Sequence, residues 1–83
     1  MAYRIEWDMR AYRELKQIET KPAVEILNAI NKLYENPREA GKALEGKLKG
    51  KYRLQVGDYR VIYWIDKSTV WIVSVGHRKE IYR

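Results

Sequence analysis

Lys51 to Ile65 constrains this chain more than any other stretch. Tyr52, Leu54 and Val56 alternate with Lys51, Arg53 and Gln55, the period of a strand with one buried face. Gly57-Asp58 follows, a pair suited to a tight hairpin turn. Tyr59 to Ile65 is then apolar at nearly every position, as a central strand is. With a two-residue turn, Val56 pairs with Tyr59, Gln55 with Arg60, Arg53 with Ile62 and Lys51 with Trp64. Directly paired residues point to the same face. One face therefore carries Tyr52, Leu54, Val56, Tyr59, Val61, Tyr63 and Ile65, and needs a cover. The other carries Lys51, Arg53, Gln55, Arg60, Ile62 and Trp64.

The cover lies upstream. Tyr3, Ile5 and Trp7 alternate with Arg4, Glu6 and Asp8 as a first strand, and Asp8 is placed to cap the helix that follows. Tyr12, Leu15 and Ile18 recur at helical spacing to about residue 19. Pro22 suits the first turn of a second helix, where Ala23, Ile26, Leu27, Ile30, Leu33 and Tyr34 form one apolar stripe. Asn36-Pro37 ends it. Residues 38–50 read as a surface loop with a short turn of helix. After Asp66-Lys67-Ser68, Thr69 to Gly76 is a last β-rich run. A three-residue loop there pairs Ile65 with Thr69, Ile62 with Ile72 and Arg60 with Ser74. Trp71, Val73 and Val75 then join the core, and Val70, Ile72, Ser74, Gly76 and Arg78 the open face. A two-residue loop reverses that strand. The order β-α-α-β-β-β predicts an α+β domain, with two N-terminal helices on one face of an antiparallel four-stranded sheet.

A chain of 83 residues is one domain, 1–83, with a thin core and no deep enclosed cavity for a large organic cofactor. With no cysteine it has no disulfide, thiolate metal site or cysteine nucleophile, which fits a cytoplasmic setting. A single histidine excludes a His-rich metal site, the carboxylates show no ligand grouping, and there is no Gly-rich phosphate loop. The net charge of +6 is uneven. Residues 1–41 balance seven Lys/Arg against seven Asp/Glu, whereas residues 42–83 hold ten against four. The excess points to a polyanion, either nucleic acid or an acidic protein. No run approaches the ~20 apolar residues of a membrane span, and the charged N-terminus does not read as a signal peptide.

On this register Arg53, Arg60 and Arg78 converge on the uncovered sheet face beside Trp64 and Ile62. Cations on a bare sheet face commonly serve only solubility. Here they share it with Ile62, Trp64, Val70 and Ile72, an apolar patch that a monomer rarely leaves bare.

Tyr52-Arg53-Leu54-Gln55-Val56-Gly57-Asp58-Tyr59-Arg60-Val61-Ile62-Tyr63, followed by Val75-Gly76-His77-Arg78-Lys79-Glu80-Ile81-Tyr82, resembles the RelE branch of the RelE/ParE toxin superfamily. Ala2-Tyr3-Arg4-Ile5 and Leu44-Glu45-Gly46 share the likeness, so it covers essentially the whole chain. The resemblance implies a toxin of a type II toxin–antitoxin pair, held with a cognate antitoxin in a hetero-oligomer. It implies a metal-independent, cofactor-free endoribonuclease that cuts messenger RNA in the ribosomal A site. The family's reaction is attack of a ribose 2′-OH on the adjacent phosphate. By position, the family's site residues match Arg60, Arg78 and the C-terminal Tyr82. The first of two family lysines matches Arg53, and the second falls on Gln55, a departure.

Guanidinium groups at Arg60 and Arg78 suit the extra charge of a pentacoordinate phosphate. The base is harder to assign. Ionising a tyrosine of pKa ~10 near pH 7 costs about 4 kcal/mol. One cation ~5 Å away at an effective dielectric of ~20 offsets roughly 3 kcal/mol of that. Tyr82 is one candidate base and Lys51 a substitute. Tyr82 also reads as a residue that packs the tail. His77 needs no shift to act near neutrality, but an extended strand points it away from Arg78. Trp64 reads as an antitoxin contact, a partial core residue or a base-stacking platform. Lys47, Lys49 and Lys51, with Lys42, form a second basic region, either a solvated loop or a contact for RNA backbone. Two other functions share the fold: inhibition of DNA gyrase, as in ParE-like toxins, and a catalytically weak antitoxin-binding module.

Overall fold

The computed structural model describes residues 2–79. Strand β1 (Arg4–Trp7) leads into helix α1 (Met9–Lys16), whose N-terminus is capped by Asp8 accepting from the Arg10 amide at 3.2 Å. Helix α2 (Thr20–Ile30) has Pro22 in its first turn and tightens into a 3-10 turn, Asn31–Tyr34, ahead of Pro37. A short helix α3 (Pro37–Ala40) and a two-residue strand β2 (Lys42–Ala43) follow. Then come a 3-10 turn, Gly46–Leu48, and strands β3 (Lys51–Val56), β4 (Tyr59–Asp66) and β5 (Thr69–His77).

The α+β class is as expected, and the sheet differs in detail. It has five strands in the order β1-β5-β4-β3-β2, and β1 runs parallel to β5. The expected four-stranded antiparallel sheet lacked β2. That strand adds one reversal between α2 and β3, which lets β5 return in the direction of β1. Two residues are too few to show a period in sequence.

The first hairpin has the expected register throughout, from Val56 opposite Tyr59 to Lys51 opposite Trp64. The second differs. Lys67 takes a φ of 56°, the left-handed conformation that closes a two-residue turn, so Asp66 pairs with Thr69. Val70 then opposes Ile65, Trp71 opposes Trp64 and Ile72 opposes Tyr63. At Val73 the ladder slips, and Ser74 opposes Ile62. Val70 and Ile72 are thus core residues with no exposure, and Trp71 faces the other way. The bulge restores the expected facing of the strand's end, with Val75 buried opposite Val61 and Gly76 opposite Arg60.

The core lies between the helices and one sheet face. Ala11, Ile26, Ile30 and Leu33 meet Leu54, Val61, Tyr63, Val70, Ile72 and Val75. Of the expected helical stripe, Leu27 and Tyr34 remain exposed. Among the described residues no helix is long and apolar enough to cross a membrane.

Candidate functional site

The face away from the helices is ordered in rows by strand pairing. One row runs Gln55, Arg60, Gly76. The next runs Lys42, Arg53, Ile62, Ser74, and a third runs Lys51, Trp64, Trp71, Glu6. Successive rows along β4 are about 7 Å apart. Lys42, Lys51, Arg53 and Arg60 therefore fall within a patch about 14 Å long. Lys51, Arg53 and Arg60 are half-buried, their stems lying on the sheet. The apolar patch is smaller than expected: Val70 and Ile72 are in the core, Ile62 is buried, and the pair Trp64 and Trp71 remains.

Arg78 is exposed one residue beyond β5, and its amide donates to the Asp58 carbonyl at 2.9 Å. This holds it beside the β3–β4 turn, at the same end of the sheet as Arg60. Tyr82 lies outside the described residues. His77 pairs with Tyr59 on the helix side, its ring edge-on at 5.7 Å between centroids. Its Nδ1 accepts from the Lys79 amide at 3.3 Å, and it lines a groove with Glu14, Gln17 and Ile18. The fold therefore separates His77 from the arginines. Gln55, where the family lysine was expected, sits directly across from Arg60, and its Nε2 donates to the Gly57 carbonyl at 3.2 Å. Lys47 and Lys49 are exposed on the connection between β2 and β3, away from the three rows.

Two supports of the site were not legible from pattern. The first is the seat of Arg53. Gly41 packs against the Tyr63 hydroxyl, and a Cβ there would also lie 2.8 Å from the Arg53 carbonyl. The Tyr63 hydroxyl donates to the Pro37 carbonyl at 2.7 Å, and its ring stacks on Tyr52 at 5.4 Å. Burial pushes the Tyr63 phenol up to about 12, so it is a neutral donor at ordinary pH. On the same side the Arg38 guanidinium donates to the Tyr52 hydroxyl at 3.5 Å, a bond that raises the arginine's pKa further.

The second support is Glu14. Strand β1 covers β5 only as far as Ile72, leaving the bulge with a bare edge. Glu14 of α1 fills it: Oε1 accepts from the Ser74 hydroxyl at 3.0 Å and from the Val75 amide at 2.9 Å. Oε2 accepts from Arg10 Nε at 3.2 Å. Glu14 thereby fixes the segment that carries Gly76 toward Arg60.

The class that fold and site define is a small basic α+β protein whose cations gather on the side of the sheet away from its helices. Residues 5–82 match the ParE toxin family of type II toxin–antitoxin systems, and the chain belongs to that family, as a RelE-like member. Over its full length it is 33% identical to toxin RelG of Mycobacterium tuberculosis, covering 99% of that protein. It is 29% identical to the mRNA interferase toxin RelE of Escherichia coli, over 99% of this chain and 92% of that one. A RelBE toxin–antitoxin complex from Mycobacterium tuberculosis contains a chain that superposes with a TM-score of 0.87 at 28% identity, covering 94% of this chain and all of that one. The chromosomal ParDE system of Pseudomonas aeruginosa superposes with a TM-score of 0.77 at 12% identity, over 92% and 96% of the two chains, and shares the fold alone.

Proposed function

We propose that this toxin is a ribosome-dependent, metal-independent endoribonuclease that cleaves messenger RNA in the A site. The observation that carries the reading is the row geometry: Arg60 beside Gly76 and Arg53 one row on, on the sheet face away from the helices. Near-full-length similarity to a chain named as an mRNA interferase supports it.

The reaction forms a bond between a ribose 2′-oxygen and the adjacent phosphorus and breaks the bond to the 5′-oxygen. It leaves a 2′,3′-cyclic phosphate and a 5′-OH end. Arg60 and Arg78 stabilise the charge that builds on the phosphoryl oxygens, and Arg53 adds to that field. Arginine holds its proton above pH ~12, so these groups bind and polarise, and the proton moves elsewhere. Tyr82 is the base assigned to the 2′-OH proton, with Lys51 as the alternative, and the departing 5′-oxygen takes its proton from solvent. Lys47, Lys49 and Lys51 hold RNA backbone, and Trp64 offers a stacking face. A cognate antitoxin, acidic or amphipathic, covers the basic face in a toxin–antitoxin assembly, as the complexes of its structural relatives suggest.

Purified toxin added to polysomes tests this directly. Cuts confined to the A site are expected. Intact messenger, with inhibition in a gyrase supercoiling assay instead, would favour the gyrase-directed reading. Normal growth on expression without antitoxin would favour a pure binding module.

A further inference from the structure

We infer that the cross-strand pair Trp64 and Trp71 is a base-stacking subsite for single-stranded RNA, one that holds nucleotides beyond the scissile phosphate. The inference builds on the nuclease reading and extends it to a second part of the same face. Three observations carry it. Trp64 is 37% exposed, large for a tryptophan in the middle of a sheet, and the second-hairpin register sets Trp71 directly opposite. The pair lies on the face of Arg60, four residues along β4 and thus about 14 Å away, within reach of one short oligonucleotide. Its surroundings are polarised. Lys51 is directly across from Trp64, with Arg53 and Lys42 in the next row, while Glu6 lies across from Trp71 on the far side.

That layout matches RNA: a phosphate backbone over Lys51 and Arg53, with bases turned onto the indoles, away from the cations. It fits an acidic peptide less well, because Glu6 borders the apolar end. Stacking is tolerant of sequence, so the subsite adds affinity and register rather than strict base choice.

The test is binding of a uridine hexaribonucleotide, 2′-O-methylated at every position so that it is not cut, against a hexamer of the same charge with abasic sugars. The readout is tryptophan emission at low salt. The third tryptophan, Trp7, pairs with Ile72 on the core face and reports little. The expected result is quenching by the base-bearing hexamer and binding about 5- to 150-fold tighter than the abasic one. Trp64→Leu or Trp71→Leu should erase most of that ratio. The abasic comparison needs no variant, so a poorly folded Trp71→Leu protein does not blunt the test. Equal binding of the two hexamers, no binding, or a ratio that survives both substitutions would overturn the inference. Quenching by the cognate antitoxin but by neither hexamer would also overturn it and assign the pair to the protein partner. A toxin that cuts A-site messenger yet shows no base dependence loses this subsite alone. One that shows base dependence yet cuts nothing keeps the subsite and loses the nuclease.

Discussion

Arg60 lies directly across the β4–β5 ladder from Gly76. The neighbour brings no side chain, so on that flank Arg60 is bordered by backbone alone. On the other side the neighbour is Gln55, which is neutral and turned toward Gly57. Arg60 is thus the cation of the row Gln55, Arg60, Gly76 at the turn end of the sheet.

Arg60→Ala should lower A-site cleavage by about 10²- to 10³-fold, the usual loss when one preorganised charge donor is removed. Arg60→Lys should recover part of it, because a point charge replaces a planar fork. Single-turnover cleavage on programmed ribosomes measures both, with circular dichroism as a control for folding.

Gln55→Lys restores the residue type the family likeness led us to expect, beside Arg60. It should raise cleavage by at least about 10-fold if proton transfer limits the rate, since a positioned acid or base contributes about 10²–10⁴. The amide bond to the Gly57 carbonyl is lost, at a cost to stability below about 1 kcal/mol because it is exposed. Rate and urea midpoint are measured on the same preparation.

Gly41→Ala should destabilise the fold by about 1–3 kcal/mol. The added methyl meets the Tyr63 hydroxyl and the Arg53 carbonyl, and β2 or Tyr63 has to shift. Tyr63→Phe in the same chain removes the hydroxyl, the closest of the three contacts, and leaves the ring carbon and the Arg53 carbonyl. The double variant should therefore be more stable than the sum of the two single changes predicts. Urea unfolding of the four proteins checks the coupling.

Tyr63 should give the protein an alkaline limit. Its phenol ionises near 12 in the fold and near the ordinary ~10 when unfolded. The folded pKa is the higher one, so the contribution is whole below pH ~10 and is lost as pH rises from there through 12. Two units correspond to at most about 3 kcal/mol. Tyr63→Phe should lack this part of the alkaline slope, while losing about 1–2 kcal/mol at neutral pH with the bond to Pro37. Stability measured at a series of pH values for both proteins separates the two effects.

Glu14→Ala should cost about 2–3 kcal/mol, since the Val75 amide and Ser74 hydroxyl lose a charged acceptor in a part-buried setting. Glu14→Gln should cost less, as its carbonyl oxygen still accepts. Hydrogen exchange of the Val75 amide is the local readout, and it should quicken more in the alanine variant.

Much of this architecture was legible in the sequence where local chemistry decides it. Gly57-Asp58 leaves one sensible turn, and from it follow the register, the two faces and the placing of Arg53 and Arg60. Asp66-Lys67-Ser68 admits two turns, and only the fold reveals Lys67 in the left-handed conformation. That turn is why Trp71 was expected in the core and Ile72 outside it; the bulge at Val73, invisible in a run of β-formers, then restores the expected facing of Ser74 to Gly76. The parallel pairing of β1 with β5 joins residues more than sixty positions apart, and nothing local encodes it. Glu14 acquires its role only because β1 stops at Ile72's level, a matter of strand length. The candidate site was therefore readable along the first hairpin and unreadable where it depends on the edge of β5.

The central claim is a metal-independent phosphoryl transfer centred on Arg60. The most direct test is primer extension and end-group analysis of messenger RNA from translating ribosomes, with added chelator sufficient for trace transition metals, for the natural chain and Arg60→Ala. Cuts within the A-site codon, bearing 2′,3′-cyclic phosphate and 5′-OH ends and lost in the variant, are the predicted result. Uncut messenger from the folded, antitoxin-free natural chain, or cuts that Arg60→Ala leaves undiminished, would contradict it.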